Sequence, residues 1–257
     1  MLLLAMPMLA AAPLLAAEPC GPDALGTARV LAVDGALYPR VGRKHFPQTL
    51  PLSPREVVLT FDDGPSAATT ARVLDTLAKE CVRATFFLLG RNATAHPALV
   101  RRIAAGGHTI GTHTFSHPLL PHLGPAAAEA EIDRGIAAID LALQHRTAPF
   151  FRFPGFAMTP VLLDVLRRRG LVVFGADVWA SDWTPMTPGT QLHLILERIE
   201  KSSGGIVLFH DTQPQTAAML PAFLRALKAR GFQVVHTVGG PPAAVARAVA
   251  EPPRLKH

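Results

Sequence analysis

Two aspartates stand side by side where an apolar run ends: "VVLTFDDGPS" leads Val57, Val58, Leu59 and Phe61 straight into Asp62 and Asp63. Further along, "HTFSH" sets His113 and His117 four residues apart, Arg152 follows Phe150 and Phe151, Asp182 precedes Trp183, and His210 closes "GGIVLF". These residue types are the working parts of a metal-assisted hydrolysis. Two imidazoles four apart on a helical turn face the same way and can grip one metal ion. A carboxylate from another strand end completes a two-histidine, one-carboxylate set that leaves positions open for water and substrate. Adjacent aspartates permit a division of labour. Successive side chains on an extended segment point apart, so one carboxylate can ligate a metal while its neighbour stays free as a base for the water. An Asp-Gly turn with one capping aspartate is the plain alternative, but two acids are more than a turn needs.

His210 ends a strongly apolar strand, where a lone histidine is commonly a satisfied core residue. Asp182 can change that, because a carboxylate bonded to the ring favours imidazolium and raises its pKa. A histidine so tuned suits a general acid protonating a leaving amine. Arg152 can pair with the free aspartate and hold it ionised and oriented. Asp177 and Asp211 read equally as supports for the site or as helix caps.

The elements that carry these residues alternate. Apolar runs expected to be buried strands lie near 57–61, 84–89, 108–112, 149–153, 171–176, 205–210 and 232–237. Helical patterns lie between them: "TTARVLDTLAKEC", "HPALVRRIAAGG" with its glycine stop, "GPAAAEAEIDRGIAAIDLALQ", and "TPVLLDVLRRRG", where Thr159 caps and Pro160 opens the helix. Two more are expected near 188–201 and 216–229. Strands alternating with helices imply an α/β fold with a mostly parallel sheet, open or closed into a barrel. In such folds the chemistry sits at the carboxyl ends of the strands. Five of these expected strand ends carry the ionisable residues above.

The whole chain bounds the rest. Its 257 residues, 49% hydrophobic and 17% charged, suit one globular domain with a buried core and exclude a disordered chain. A formal net charge of +6 and a pI near 10.0 give a basic surface that can attract acidic wall polymers or anionic lipid. No Lys/Arg block is interleaved with aromatics, so nucleic acid is not expected as a partner. Residues 1–17 read as a signal peptide or N-terminal anchor: an apolar run ending in Ala16 and Ala17, though without a basic start. The expected location is therefore exported, periplasmic or extracellular, with peripheral wall or membrane association open. Residues 18–54 read as an N-terminal arm, 55–238 as the catalytic domain and 239–257 as a tail. Export permits the only two cysteines, Cys20 and Cys81, to form a disulfide.

Taken in order, the motifs resemble those of the carbohydrate esterase family 4 polysaccharide deacetylases, the NodB-homology domain. They are Thr60-Phe61-Asp62-Asp63-Gly64, His113-Thr114-Phe115-Ser116-His117, Arg152-Phe153-Pro154, Asp182-Trp183 and Leu208-Phe209-His210. The resemblance implies a distorted (β/α) barrel of about seven parallel strands and a divalent metal, usually zinc, with cobalt or another divalent ion possible. It implies removal of N-acetyl groups from GlcNAc-containing polysaccharide. By that resemblance Asp62 matches the base, Asp63, His113 and His117 the metal ligands, Arg152 the residue positioning the base, His210 the acid and Asp182 its tuning carboxylate. Trp183 and Leu208 match the acetyl-methyl pocket, and Gly155 an oxyanion-stabilising N–H. Two positions depart from the pattern. Gly155-Phe156 reverses the usual aromatic-glycine order after the proline, which shifts or removes an aromatic wall. Trp179 stands where an acid usually precedes the fourth motif. Alternatives from other classes are a hydrolase of a small amide, a glycan-binding protein without catalysis, and an iron oxygenase using the same ligand set.

Overall fold

The run that ends in the two aspartates is the central strand of the molecule. The structure is a computed structural model describing residues 20–240; the segments read as a signal or anchor and as a tail fall outside these residues except for Gly239 and Gly240. In chain order the strands are β1 (Thr27–Val33), β2 (Arg40–Val41), β3 (Glu56–Asp62), β4 (Thr85–Leu88), β5 (Thr109–Thr112), β6 (Phe150–Phe151), β7 (Val172–Phe174), β8 (Val178–Trp179), β9 (Gly205–His210) and β10 (Gln233–Gly239). The helices are α1 (Thr70–Lys79), α2 (Gly90–Ala95), α3 (Pro97–Ala105), α4 (Pro125–Leu143), α5 (Pro160–Arg168), α6 (Pro188–Ser202) and α7 (Pro214–Ala229).

All ladders are parallel, and β8, β9, β3, β4, β5, β6 and β7 lie side by side in that order. No ladder among the described residues joins β7 to β8; β2 takes the free edge of β7 instead. The result is a (β/α) barrel with one open seam. Every residue of β3 is buried, as a strand covered on both faces must be. Its period of two sorts them. Val57, Leu59 and Phe61 face the helices, where Phe61 stacks with Phe86 and Phe209 at 5.1 and 5.6 Å. Val58 packs inside with Phe87, Phe174 and Ile206, and Thr60 and Asp62 follow it on the inner face.

The helices begin and end where their residues dictate. Pro160 opens α5 behind Thr159, whose hydroxyl accepts the Leu162 N–H at 3.2 Å. Thr187 caps α6 in the same way, accepting from the Thr190 N–H. The short α2 has no counterpart among the expected elements.

Two expectations need correction. The run 171–176 and its flank form two short strands, not one, so Asp182 follows β8. The run 232–237 is a strand, but β10 touches β3 only through Gln233 and Val234 and then diverges to carry β1. The segment 18–54 is therefore no mere wrapping: β1 extends the sheet beyond β10, and β2 lines the seam. Asp177, left open between two readings, fastens this segment: its carboxylate accepts the Arg43 N–H (2.7 Å), the Thr49 hydroxyl (2.7 Å) and the Ile206 N–H (2.8 Å).

Cys20 and Cys81 are bonded, with Cα atoms 5.9 Å apart. The bond joins the start of the segment to the residues just after α1, across 61 positions of sequence. Closing a loop of that length restricts the unfolded chain. The double substitution Cys20→Ser/Cys81→Ser is expected to lower the unfolding free energy by about 2–4 kcal/mol, measured by urea titration; reduction of the unaltered protein should reproduce the loss.

Candidate active site

Arg152 is wholly buried beneath the strand ends. Its Nη1 donates to Asp62 Oδ1 at 2.7 Å and to Thr60 Oγ1 at 2.9 Å. Nη2 donates to the Gly175 carbonyl at 2.8 Å and Nε to the Phe174 carbonyl at 3.2 Å. The guanidinium also lies over the Phe87 ring, 4.3 Å from its centroid. A buried ion pair persists only with such full hydrogen bonding. Burial pushes the Asp62 carboxyl above its ordinary range, and the Arg152 charge works against that rise.

Asp63 does not continue the strand. Its φ is +72°, a left-handed turn. The expectation that adjacent side chains point apart along an extended segment therefore fails at this position. The turn brings Asp63 Oδ1 within 3.5 Å of His113 Nε2, while Asp62 Oδ2 lies 3.9 Å from the same atom. His117 Nε2 is also 3.5 Å from Asp63 Oδ1. The two histidines are not on a helical turn either. They lie in the loop after β5, where Thr114 and His117 both have positive φ. That loop is pinned from outside: the Phe115 N–H donates to the Glu131 carbonyl, and the Ser116 N–H to the Glu131 carboxylate. Gly135 on α4 lets the helix approach, since an added Cβ would sit 2.6 Å from the Thr114 carbonyl carbon.

The trio fits a divalent cation. All its ligand atoms lie within 4.8 Å of one another, and buried Asp63 Oδ1 has no hydrogen-bond partner. The Arg152 carbonyl, 2.7 Å from His113 Nδ1, can only accept, so Nδ1 carries the proton and Nε2 presents its lone pair. Burial pulls the His113 pKa down to about 3, leaving the ring neutral as a ligand must be.

His210 pairs with Asp62 on the rung between β9 and β3. Its Nδ1 donates to Asp182 Oδ1 at 2.8 Å, while Asp182 Oδ2 accepts the His210 N–H and the Thr216 hydroxyl, each at 2.7 Å. Burial alone would lower the His210 pKa. The Asp182 hydrogen bond and the charges of Asp182, Asp62 and Asp63 outweigh it and raise the value to about 9. Asp211 belongs beneath the site. Its carboxylate accepts from the Thr70 hydroxyl, which in turn accepts the Ser66 N–H at 2.7 Å, bracing the loop after Asp63. Burial raises its pKa to about 7. A Cβ on Gly64 would collide with this carboxylate, so glycine is required there.

Asp62, Asp63, His113, His117 and His210 line one pocket of about 400 Å³, together with Phe153, Gly155, Phe156, Trp179, Trp183 and Leu208. The sequence-predicted residues Gly155, Trp183 and Leu208 are thus all present, and Trp183 is 48% exposed at the rim. The aromatic wall is shifted, not lost: Phe156 lines the pocket, and Gly155 and Phe156 both take positive φ to put it there. Sequence reasoning missed His45, which stacks on Phe156 with ring centroids 3.9 Å apart, and the role of Trp179 beside it. The displaced aromatic at position 156 was the available signal; nothing local to His45 marks it.

An open parallel barrel whose strand ends join a trio able to hold a metal ion to a buried carboxylate and a carboxylate-supported histidine has the architecture of a hydrolytic enzyme. The polysaccharide deacetylase family model matches residues 50–174. The chain is 35% identical over 194 residues to a chitooligosaccharide deacetylase of Rhizobium leguminosarum bv. trifolii, covering 70% of this chain and 89% of that protein. It is 34% identical over 184 residues to the Listeria monocytogenes peptidoglycan-N-acetylglucosamine deacetylase PgdA, spanning 70% of this chain but only 38% of that longer protein. The solved Bdellovibrio bacteriovorus peptidoglycan deacetylase Bd3279 superimposes with a TM-score of 0.76 at 31% identity, covering 85% of this chain and 61% of that one. This chain belongs to the polysaccharide deacetylase family.

The two aspartates should separate by experiment. After chelation and reconstitution with zinc, Asp63→Ala is expected to retain less than about a tenth of the bound metal, and Asp62→Ala to retain it all, measured by elemental analysis. Arg152→Ala strands Asp62 and is expected to cost about 3–5 kcal/mol of stability in urea unfolding.

Proposed function

We propose that this protein is a metal-dependent hydrolase that removes N-acetyl groups from GlcNAc-containing polysaccharide, chitin-like or peptidoglycan. One observation carries the reading: Asp62 and His210 share a rung of neighbouring strands, with the Asp63–His113–His117 trio beside them. Asp63, His113 and His117 hold the ion, and zinc suits a set of two imidazoles and one carboxylate. When bound, such an ion supplies a Lewis acid that polarises a carbonyl and acidifies water. Asp62, held by Arg152, takes the proton of the attacking water. His210, kept protonated by Asp182, gives a proton to the sugar nitrogen as the amide bond breaks. The Gly155 N–H is the proposed donor to the developing oxyanion, and Leu208 and Trp183 enclose the acetyl methyl. Acetate leaves, and the polymer keeps a free amine.

The half-exposed Trp183 at the rim favours a glycan over a small amide, because an exposed aromatic face offers a stacking surface for a sugar ring. The Cys20–Cys81 bond supports an exported location, since such bonds persist in oxidising compartments.

Zinc-loaded protein is expected to release acetate from chitooligosaccharides or peptidoglycan fragments. Asp62→Asn and His210→Ala should each lower kcat by about 10²–10⁴-fold with the metal retained. A protein that binds these glycans yet releases no acetate from any of them would instead be a binding module. The acid must be protonated, so activity should fall on the alkaline side, at or below the value of about 9 that the protein's own groups give His210. Asp182→Asn removes the largest of the influences raising that value and leaves only the charges of Asp62 and Asp63 against burial, so the alkaline limb should move to lower pH.

A further inference from the structure

A second cavity, of about 540 Å³, lies between Trp179 and the C-terminal half of α6. Trp179 lines both this cavity and the pocket above the trio. Three cations surround it: Lys44, Arg198 and Lys201. Lys44 Nζ lies 4.7 Å from the Trp179 ring centroid. Arg198 Nη1 donates to the Trp179 carbonyl and to Ser181 Oγ, each at 2.7 Å, which leaves Nε and Nη2 without hydrogen-bond partners among the described residues. None of the three is paired with a carboxylate among the described residues. Asp177 also borders the cavity, held by the Arg43 N–H, the Thr49 hydroxyl and the Ile206 N–H, so three positive charges there face one negative. The cavity therefore has an aromatic and aliphatic floor and a net positive rim, and it shares one indole with the pocket above the trio. From His210 the path runs through Trp183 at 5.7 Å and Trp179 at 6.0 Å to Lys44.

We propose that this cavity is a subsite for a carboxylate-bearing sugar next to the one that is deacetylated, so that the preferred polymer is an anionic N-acetylated glycan and not neutral chitin. The inference rests on the deacetylase reading for the identity of the sugar in the main pocket. The charge argument is its own: three cations converging without acidic partners attract an anion, and a guanidinium with free N–H groups receives a carboxylate by hydrogen bonds. The carboxylate can come from an ether-linked lactyl group, as on muramic acid, or from a uronic acid.

The protein's two tryptophans, Trp179 and Trp183, both line the main pocket, so intrinsic fluorescence reports on it directly. Zinc-loaded protein is titrated by stopped flow, ahead of turnover, with the GlcNAc–N-acetylmuramic acid disaccharide, its methyl ester, and a GlcNAc–glucuronic acid disaccharide with its ester. At least one acid is expected to bind about ten-fold more tightly than its ester at low salt. That preference should shrink in 1 M salt, where charges are screened beyond about 3 Å, and should fall in Lys44→Ser/Lys201→Ser, where Arg198 is the one cation of the three that remains. It should survive in Arg72→Ser/Lys79→Ser, which removes the same charge from α1. Whichever acid shows the preference identifies the source of the carboxylate. Equal binding of acids and esters, or a preference undiminished in Lys44→Ser/Lys201→Ser, overturns the subsite. Failure to release acetate from any glycan would overturn the deacetylase reading instead, and the acid-to-ester ratio would still decide the subsite.

Discussion

The buried pair of Arg152 and Asp62 is the constraint on which the rest of the site depends. A guanidinium taken wholly out of water must find acceptors for its donors or cost several kcal/mol. Arg152 finds them on two strand ends: Thr60 and Asp62 on β3, and the carbonyls of Phe174 and Gly175 after β7. Its own carbonyl then fixes the His113 ring after β5. One residue thus sets the angle of the proposed base and the tautomer of a proposed ligand, so neither can drift without the other. The Phe174 and Gly175 carbonyls lie past the last rung of β7 with β6, at the open seam where β2 joins β7, and there they receive the buried guanidinium.

The same seam explains why the N-terminal segment is part of the site. β2 pairs with β7 across it, and the chain then turns through Gly42, whose φ is +112°. A Cβ there would meet the Gly175 carbonyl carbon at 2.6 Å, so only glycine permits the approach. The Lys44 N–H donates to the Ala176 carbonyl at 3.0 Å. This docking delivers His45 against Phe156 and Lys44 over Trp179. The segment fills the gap that a closed barrel would have filled with another ladder, and it brings aromatic and basic side chains with it.

How much of this could be read from the chain follows from how local each determinant is. The long parallel strands announce themselves as apolar runs, so the barrel and the strand-end residues Asp62, Arg152 and His210 were legible. β8 is two residues long and β2 likewise, too short for any periodicity to register. The convergence of the trio was legible in residue type but not in geometry. Asp63, Thr114 and His117 reach their places through positive φ angles held by distant partners such as Glu131. The shifted aromatic wall was visible as an oddity of order at Gly155-Phe156. Its support by His45 depends on a contact more than a hundred residues apart in sequence, and no local pattern encodes it.

Charge balance links the parts of the pocket. Asp62, Asp63 and Asp182 face the fixed positive charge of Arg152 and a protonated His210, while His113 is held neutral by burial. The cluster therefore carries about one excess negative charge around Asp63, where the unpartnered oxygen lies. A divalent cation placed there would reverse that excess. It would favour the ionised form of Asp62 against the burial that raises its pKa, and it would weaken the carboxylate field that holds His210 protonated. The two proposed roles would thus respond to one charge in the direction each needs: the proposed base would exist more readily as an anion, and the proposed acid would release its proton more readily. Asp182 would still favour the protonated ring, because its carboxylate is bonded to the ring and to Thr216. Asp182 is bonded to the imidazole and Asp62 to Arg152, so a single cation at Asp63 would act on the proposed base and the proposed acid through its field, with each still held by its own partner.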